Sequence, residues 1–267
     1  MSSESISSVA IEFMTRSAVV MRETLCIIVP VYDEESCILP LVSEINKLLK
    51  SAPLDIEILF INDGSTDRSL ELIENVCEED PRYSFISLKS NRGLSTALKA
   101  GIDACDSTLI GYIDADLQTS PIDFLKLLQH IGTHDLVTGY RAKRQDKFVK
   151  KATSRIANTL RRWMLEDDII DTACPLKIIR TPIAKQMPFF KGMHRFIPDM
   201  VILLGGTVKQ VPINHFPRYA GQAKYNLMNR MFGPLIDMMV FRWMQRKVIH
   251  YEINRRSTIH RLSTAVK

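Results

Sequence analysis

Between Thr24 and Tyr140, short runs rich in β-branched residues alternate with amphipathic stretches, and that order leaves few folds open to the chain. A strand, a helix and a second strand in succession need a crossover, which calls for a parallel sheet with helices laid on its faces. The pattern predicts strands at 25–31, 56–62, 84–88, 108–113 and 135–139. Between the first two, Ile38, Leu39, Val42, Ile45, Leu48 and Leu49 recur at helical spacing, and a second helix starting near Asp67 is expected to bury Leu70, Ile73 and Val76. Ser120-Pro121 reads as a further helix start, with Ser as the cap and Pro at the first helical position.

Beyond Lys150 the texture changes to a basic helix, a short strand at 176–179, a helix at 199–204 and a strand at 208–213. A Met-rich apolar stretch then runs from Leu227 to Val248, broken by Gly233-Pro234. No repeat, low-complexity tract or linker interrupts this order. The division expected is an N-terminal extension over 1–22, one α/β domain over 23–225 and a basic amphipathic segment over 226–267. Met21 is a candidate start of the protein.

With 46% hydrophobic residues in 267, the chain can bury a substantial core without staples. Its five cysteines form no CxxC pair, which fits a reducing, cytoplasmic compartment better than a disulfide framework. Cys26, Cys77 and Cys105 read as small core residues. No apolar run has the length of a spanning helix, and the N-terminus lacks the layout of a signal peptide. Net charge is +5, and the excess is local. Arg141, Lys143, Arg144, Lys147, Lys150, Lys151, Arg155, Arg161 and Arg162 lie close together, opposed by Asp146. Such a field invites an anionic partner, against the plain alternative of a solvated helix face. Nucleic acid is disfavoured as that partner, because only Phe148 and Trp163 interleave with the cations and no binding motif accompanies them.

In an open α/β sheet, ligands gather at the carboxyl ends of the strands. There the first strand ends in Pro30-Val31-Tyr32-Asp33-Glu34, the second in Asn62-Asp63-Gly64-Ser65-Thr66-Asp67 and the fourth in Asp114-Ala115-Asp116-Leu117-Gln118. Acidic groups sharing one cleft repel unless a cation or hydrogen-bond donors join them. Asp114 and Asp116, both on a strand exit, are placed to offer hard oxygen ligands to Mg²⁺ or Mn²⁺, with an Asp-rich turn as the structural alternative. Gly64 and Gly93 read as loop glycines that let backbone approach a ligand. Rival chemistries lack their signatures. There is no P-loop, no G-x-G-x-x-G after the first strand, and no H-E-x-x-H or zinc-type cluster.

Taken together, VPVYDEE, INDGSTDRS, NRGLSTALKAGI and IDADLQTSP resemble the family-two inverting glycosyltransferases of GT-A fold. Within that family they are most similar to the polyprenyl-phosphate sugar transferases, such as dolichyl-phosphate mannose synthases. The resemblance spans about Thr24 to Tyr225. It implies a three-layer α/β domain with a mostly parallel central sheet. It also implies Mg²⁺ or Mn²⁺ as cofactor, a UDP- or GDP-linked sugar as donor, and a polyprenyl phosphate as acceptor. Residue by residue, it puts Pro30, Tyr32 and Glu34 around the nucleoside, Asp63 on the base, and Asp114 near the ribose and diphosphate. Asp116 would ligate the metal, with Gln118 as a further ligand. Arg141, Lys150 and Ser154 would hold the acceptor phosphate, joined by Arg195, Arg218 and Lys224.

The sequence departs from the family pattern in three places: Lys150 and Lys177 stand where Arg is usual, and Ala223 replaces a Ser. Asp171 is the candidate for positioning or deprotonating the acceptor, with a helix or strand cap as the structural alternative. Two other functions fit the same residues: transfer to a sugar hydroxyl of a glycan, and a non-catalytic nucleotide-sugar-binding subunit. The stripe of Met228, Met231, Phe232, Leu235, Ile236, Met239, Val240 and Trp243, flanked by cations, is expected either to lie on the inner face of the membrane or to pack on the core. A membrane-embedded partner subunit is the alternative route to a lipid acceptor.

Overall fold

The computed structural model describes residues 23–141, 161–162, 164–219 and 232–249. The predicted extension over 1–22, the acceptor-phosphate candidates Lys150 and Ser154, and Lys224 lie outside the described residues.

β1 (Thr24–Val31) leads through α1 (Glu35–Ser51) into β2 (Asp55–Asn62), and α2 (Ser69–Glu79) leads into β3 (Tyr83–Ser87). α3 (Leu94–Ala104) then precedes β4 (Leu109–Tyr112). A 3₁₀ turn at Pro121–Asp123 opens directly into α4 (Phe124–Leu128), and β5 (Leu136–Arg141) closes the first half. Later come β6 (Lys177–Arg180), α5 (Thr181–Gln186), α6 (Ile197–Leu203), β7 (Val208–Ile213) and α7 (Phe232–Gln245). The seven strands stand in the order β3-β2-β1-β4-β6-β5-β7. All neighbouring pairs are parallel except those of β6, which runs against both β4 and β5.

Strand alternation builds the layers. Leu25, Ile27, Val29 and Val31 of β1 enter one buried cluster with Ile38, Leu41 and Ile45 of α1, Ile73 of α2 and Phe124 of α4. Cys26 and Ile28 enter the other, with Ala97 and Leu98 of α3, Met200 of α6 and Phe241 of α7. The sheet is thus the middle of three layers. Pro30, which has no N–H to donate, is tolerated in this central strand because β4 pairs with β1 only as far as Ile28↔Tyr112.

The predicted elements that fall on described residues are present, with local corrections; the basic helix expected beyond Lys150 lies largely outside the described residues. In α1 the buried stripe is Cys37, Ile38, Leu41, Ile45 and Leu48, and Leu39 falls on the opposite, exposed side. In α2 Ser69 is buried and Leu70 only partly, because the Ser69 hydroxyl turns inward to accept the Glu34 backbone N–H at 2.9 Å. β5 runs on to Arg141 because it pairs with β7 up to Arg141↔Ile213. The Ser120 side chain makes no cap bond, although Pro121 does open the turn. Cys77 is only half-buried, while Cys26 and Cys105 are core residues as expected.

α7 packs one face of the C-terminal stripe on the core and leaves the other exposed. Met238 and Phe241 are buried, and the Phe241 ring stacks on Phe196 with centroids 5.1 Å apart. Ile236, Met239, Val240 and Trp243 face outward, exposed.

Beneath the sheet's second face lies a cluster of buried charge. Arg161 donates to Asp167 Oδ1 at 3.0 Å and to the Ile169 carbonyl. Asp199 in α6 is 3% exposed, and neither of its oxygens meets a donor among the described residues; Asp167 Oδ2 is likewise unmet. One proton held by Asp199 beside Asp167 resolves both, and burial followed by the charge of Asp167 accordingly pushes the Asp199 carboxyl up to about 8. A carboxyl raised on folding is protonated in the native state and ionised in the unfolded chain, so stability falls as pH climbs from about 4 towards 8. Asp199→Asn, which fixes the neutral form, should raise stability near pH 8 by on the order of 2 kcal/mol. The gain should vanish near pH 4, as read by urea denaturation across pH.

Candidate active site

β2, β1 and β4 are parallel neighbours, so their exits open side by side. The first two exits are stitched together. Asp33 N–H donates to Ser65 Oγ at 3.0 Å, and Thr66 N–H donates back to Asp33 Oδ1 at 2.7 Å. Asp67 Oδ2 accepts the Glu35 N–H at 3.1 Å, while its Oδ1 accepts that of Ser69 at 3.0 Å. Asp63 is buried, and its two oxygens accept the backbone N–H groups of Arg92 and Gly93, each at 2.8 Å. It therefore ties the β2 exit to the start of α3. Gly64 has φ +68°, and a Cβ there would stand 2.5 Å from the Ser90 carbonyl carbon, so no other residue fits that turn. Much of the INDGSTD string is the scaffold of the cleft.

The β4 exit carries the charge. Asp114 accepts the Tyr112 hydroxyl at 2.6 Å, and burial followed by the neighbouring Asp116 pushes its carboxyl up to about 6. Asp116 is 6% exposed. Its Oδ1 accepts the Gln118 N–H at 3.1 Å across Leu117, which takes the left-handed conformation at φ 59°. Its Oδ2 accepts Arg218 Nη2 at 3.0 Å, and Arg218 Nη1 reaches Glu34 Oε1 at 3.1 Å. A hard divalent cation asks for anionic oxygen donors. Asp116, with Gln118 next in the loop, fits that demand, and the Arg218 guanidinium already stands in for a cation there.

Two predicted residues turn out to be partners. Arg141 Nε and Nη2 grip Asp171 Oδ2 and Oδ1 at 2.6 and 2.7 Å, a two-point fork with side-chain exposures of 13% and 11%. Burial opposes the guanidinium charge, yet the Asp171 bonds hold its pKa above the ordinary value. Because both carboxylate oxygens are engaged, the arrangement suits Asp171 to aim Arg141 rather than to take a proton. Behind the pair, Lys177 is 2% exposed; it donates to the carbonyl of Cys174 and, at 3.4 Å, to that of Thr172, and lies 5.8 Å from the Tyr112 ring centroid. Burial lowers its pKa. Lys177 thus fastens the turn that follows Asp171. Besides its departure from the family pattern, the sequence marks it as a lone cation in the apolar run Pro175-Leu176-Lys177-Ile178-Ile179.

Arg195 does not converge on these groups; it donates to Asp237 Oδ2 of α7 at 3.1 Å. Its neighbour His194 bonds Ser95 Oγ at 2.8 Å, and burial, then the Arg195 charge, pulls its pKa down to about 3, leaving a neutral ring. Pro30 and Tyr32 lie at the β1 exit as expected. The structure therefore gathers Glu34, Asp114, Asp116, Gln118 and Arg218 along two adjoining exits and sets Arg141 with Asp171 at the end of β5.

This architecture, a mostly parallel seven-stranded sheet between helical layers with acidic strand exits, has the GT-A fold. The chain belongs to glycosyl transferase family 2, whose profile matches residues 26–193. It is 32% identical over 221 residues to a dodecaprenyl-phosphate galacturonate synthase of Rhizobium johnstonii, covering 80% of this chain and 65% of that protein. It is 30% identical over 215 residues to an undecaprenyl-phosphate 4-deoxy-4-formamido-L-arabinose transferase of Salmonella choleraesuis, with the same coverage, 80% and 65%. The chain thus spans 65% of the length of these relatives. Among solved structures, glucosyl-3-phosphoglycerate synthase of Mycobacterium tuberculosis with Mn²⁺, UDP and glucosyl-3-phosphoglycerate superposes with TM-score 0.65 at 16% identity, covering 84% of this chain and 80% of that one. Mannosyl-3-phosphoglycerate synthase of Rubrobacter xylanophilus gives 0.65 at 16% identity, over 88% and 79%.

The Arg141–Asp171 fork yields a stability prediction. Arg141→Ala removes both arms of the fork from a mostly buried carboxylate and should cost about 3 kcal/mol in urea denaturation. The double variant Arg141→Met/Asp171→Leu should recover most of that loss, since an apolar pair leaves no uncompensated charge.

Proposed function

We propose that this protein transfers a sugar from a nucleotide diphosphate sugar to a polyprenyl phosphate, with inversion at the anomeric carbon, at the inner face of the cytoplasmic membrane. The observation that carries the reading is the pairing of two subsites on one sheet edge: a carboxylate site for a cation-bound diphosphate at Asp114 and Asp116, and a preset guanidinium at Arg141 for an anionic acceptor. The two relatives named for lipid-phosphate acceptors support the acceptor class, and the solved neighbour holding Mn²⁺ and UDP supports the donor class.

Each residue's part follows from its chemistry. Pro30, Tyr32 and Glu34 at the β1 exit border the nucleoside, and Asp63 fixes the floor beneath it. Mg²⁺ or Mn²⁺ held by Asp116 and Gln118 would offset the charge that grows on the departing diphosphate. A phosphate monoester has a second pKa of about 6 and is mostly ionised near neutral pH, so it asks for cations to place it and no base to deprotonate it. That demand matches an Asp171 engaged in aiming Arg141, and it weighs against transfer to a sugar hydroxyl, which would require Asp171 as a base. Lys150, Ser154 and Lys224, outside the described residues, extend the acceptor subsite in this reading.

The acceptor's tail brings the enzyme to the bilayer. Among the described residues no helix is long and apolar enough to cross a membrane. α7 instead offers Ile236, Met239, Val240 and Trp243 outward, with Arg242, Arg246 and Lys247 close by. An interfacial helix has this make-up.

Purified protein incubated with UDP- and GDP-sugars, Mn²⁺ and a short polyprenyl phosphate should form a lipid-linked sugar. Asp116→Ala or excess chelator should remove at least about 99% of that transfer, the scale on which a lost cation site acts. Nucleotide-sugar binding with no transfer to any acceptor would instead favour a non-catalytic subunit. In sedimentation with vesicles, the full chain should pellet with anionic lipid at low salt and release as salt rises, each basic residue at the surface contributing about 1 kcal/mol. A chain ending at Tyr225 should stay in the supernatant.

A further inference from the structure

We infer that Arg218 is a resident counter-cation of the donor site, which holds the cation-binding carboxylate until a divalent ion and a nucleoside diphosphate arrive together and release it. The inference rests on the donor site proposed above and adds a binding order to it. Arg218 lies 184 residues from Glu34 in sequence, yet one guanidinium spans Glu34 of the β1 exit and Asp116 of the β4 exit at 3.1 and 3.0 Å. It is delivered there by a strap. The Phe216 N–H and the His215 ring both bond the Gln118 carbonyl, at 2.9 and 3.1 Å, and Tyr219 N–H meets the Asp116 carbonyl at 3.4 Å. The chain after β7 therefore runs along the 116–118 loop like an added strand, and Arg218 is the side chain it points at the carboxylates.

Asp116 Oδ2 faces the guanidinium, so a metal ion binding there competes with Arg218 for the same oxygen. A site open for only a fraction of the time binds its ligand more weakly by that fraction. A divalent ion alone has to displace Arg218 and leave a free cation beside a dication. A divalent ion with a diphosphate meets no such cost. Arg218 trades its carboxylates for phosphate oxygens, to which a planar guanidinium bonds at two points, and the charges on both sides of the exchange remain balanced. The ion and the diphosphate therefore bind cooperatively, and Arg218 carries the coupling.

The test is Mn²⁺ binding, read from the free-ion electron paramagnetic resonance signal, with and without UDP. Wild-type protein should bind Mn²⁺ weakly alone and far better with UDP. Arg218→Gln should bind Mn²⁺ alone roughly five- to fiftyfold tighter, the range expected when two partly screened charge-assisted contacts no longer close the site. Its gain from UDP should shrink correspondingly. Arg218→Lys, which keeps the charge and loses the fork, should fall between the two. The inference is overturned if Arg218→Gln binds Mn²⁺ alone no more tightly than wild type. It is equally overturned if Arg218→Lys is indistinguishable from wild type, because bulk charge would then explain the whole effect. Mn²⁺ binding in the presence of UDP that survives Asp116→Asn, or that is absent from wild type, would instead sink the donor site and with it everything built on it.

Discussion

The ion pair between Arg218 and Asp116 decides how the rest of the cleft is arranged. Parallel strand exits put carboxylates next to one another, and the deeply buried Asp116 has the Arg218 guanidinium set against it at 3.0 Å. The chain answers that demand with a guanidinium brought from beyond β7. That choice explains why the segment 214–219 lies along the β4 exit when it could have run free over the surface. Asp114, which makes no ion pair among the described residues, shows what the alternative costs: burial and the neighbouring Asp116 push its carboxyl up to about 6.

The same logic repeats at the end of β5. Arg141 needs a carboxylate to keep its orientation in a mostly buried position, and Asp171 supplies both oxygens. Lys177, below, holds the carbonyls of the turn after Asp171 and so limits where that carboxylate can go. On the far side, Arg195 is tied to Asp237 and Phe196 to Phe241, so the helix with the exposed apolar face is fastened to a segment whose His194 bonds Ser95 at the start of α3. The helix with the exposed apolar face is thereby joined, through a few contacts, to the helix that starts at the edge of the cleft.

The parallel sheet was legible in sequence because β-branched runs and helical stripes differ in period, and that difference is local. The acidic exits were legible for the same reason: strand ends could be located, and Asp33, Asp63, Asp114 and Asp116 follow them directly. Which carboxylate meets which cation was hidden, because Glu34 and Arg218, or Arg141 and Asp171, are brought together only by the sheet order. Arg141 and Asp171 were each singled out, but as separate agents. Lys177 was noticed as a departure from a motif, while its burial depends on β6 lying between β4 and β5, which no local pattern announces. Leu39 was misplaced for a simpler reason, since an apolar residue at helical spacing does not by itself reveal the centre of the buried stripe.

The most direct test of the whole account is a crystal structure with Mn²⁺ and UDP, using anomalous scattering to locate the ion. The account predicts an anomalous peak within coordinating distance of the Asp116 carboxylate, the diphosphate bound to the same ion, and the Arg218 guanidinium moved off Asp116 onto phosphate oxygen. A peak elsewhere, or a bound diphosphate with Arg218 still paired to Asp116 and Glu34, would contradict it.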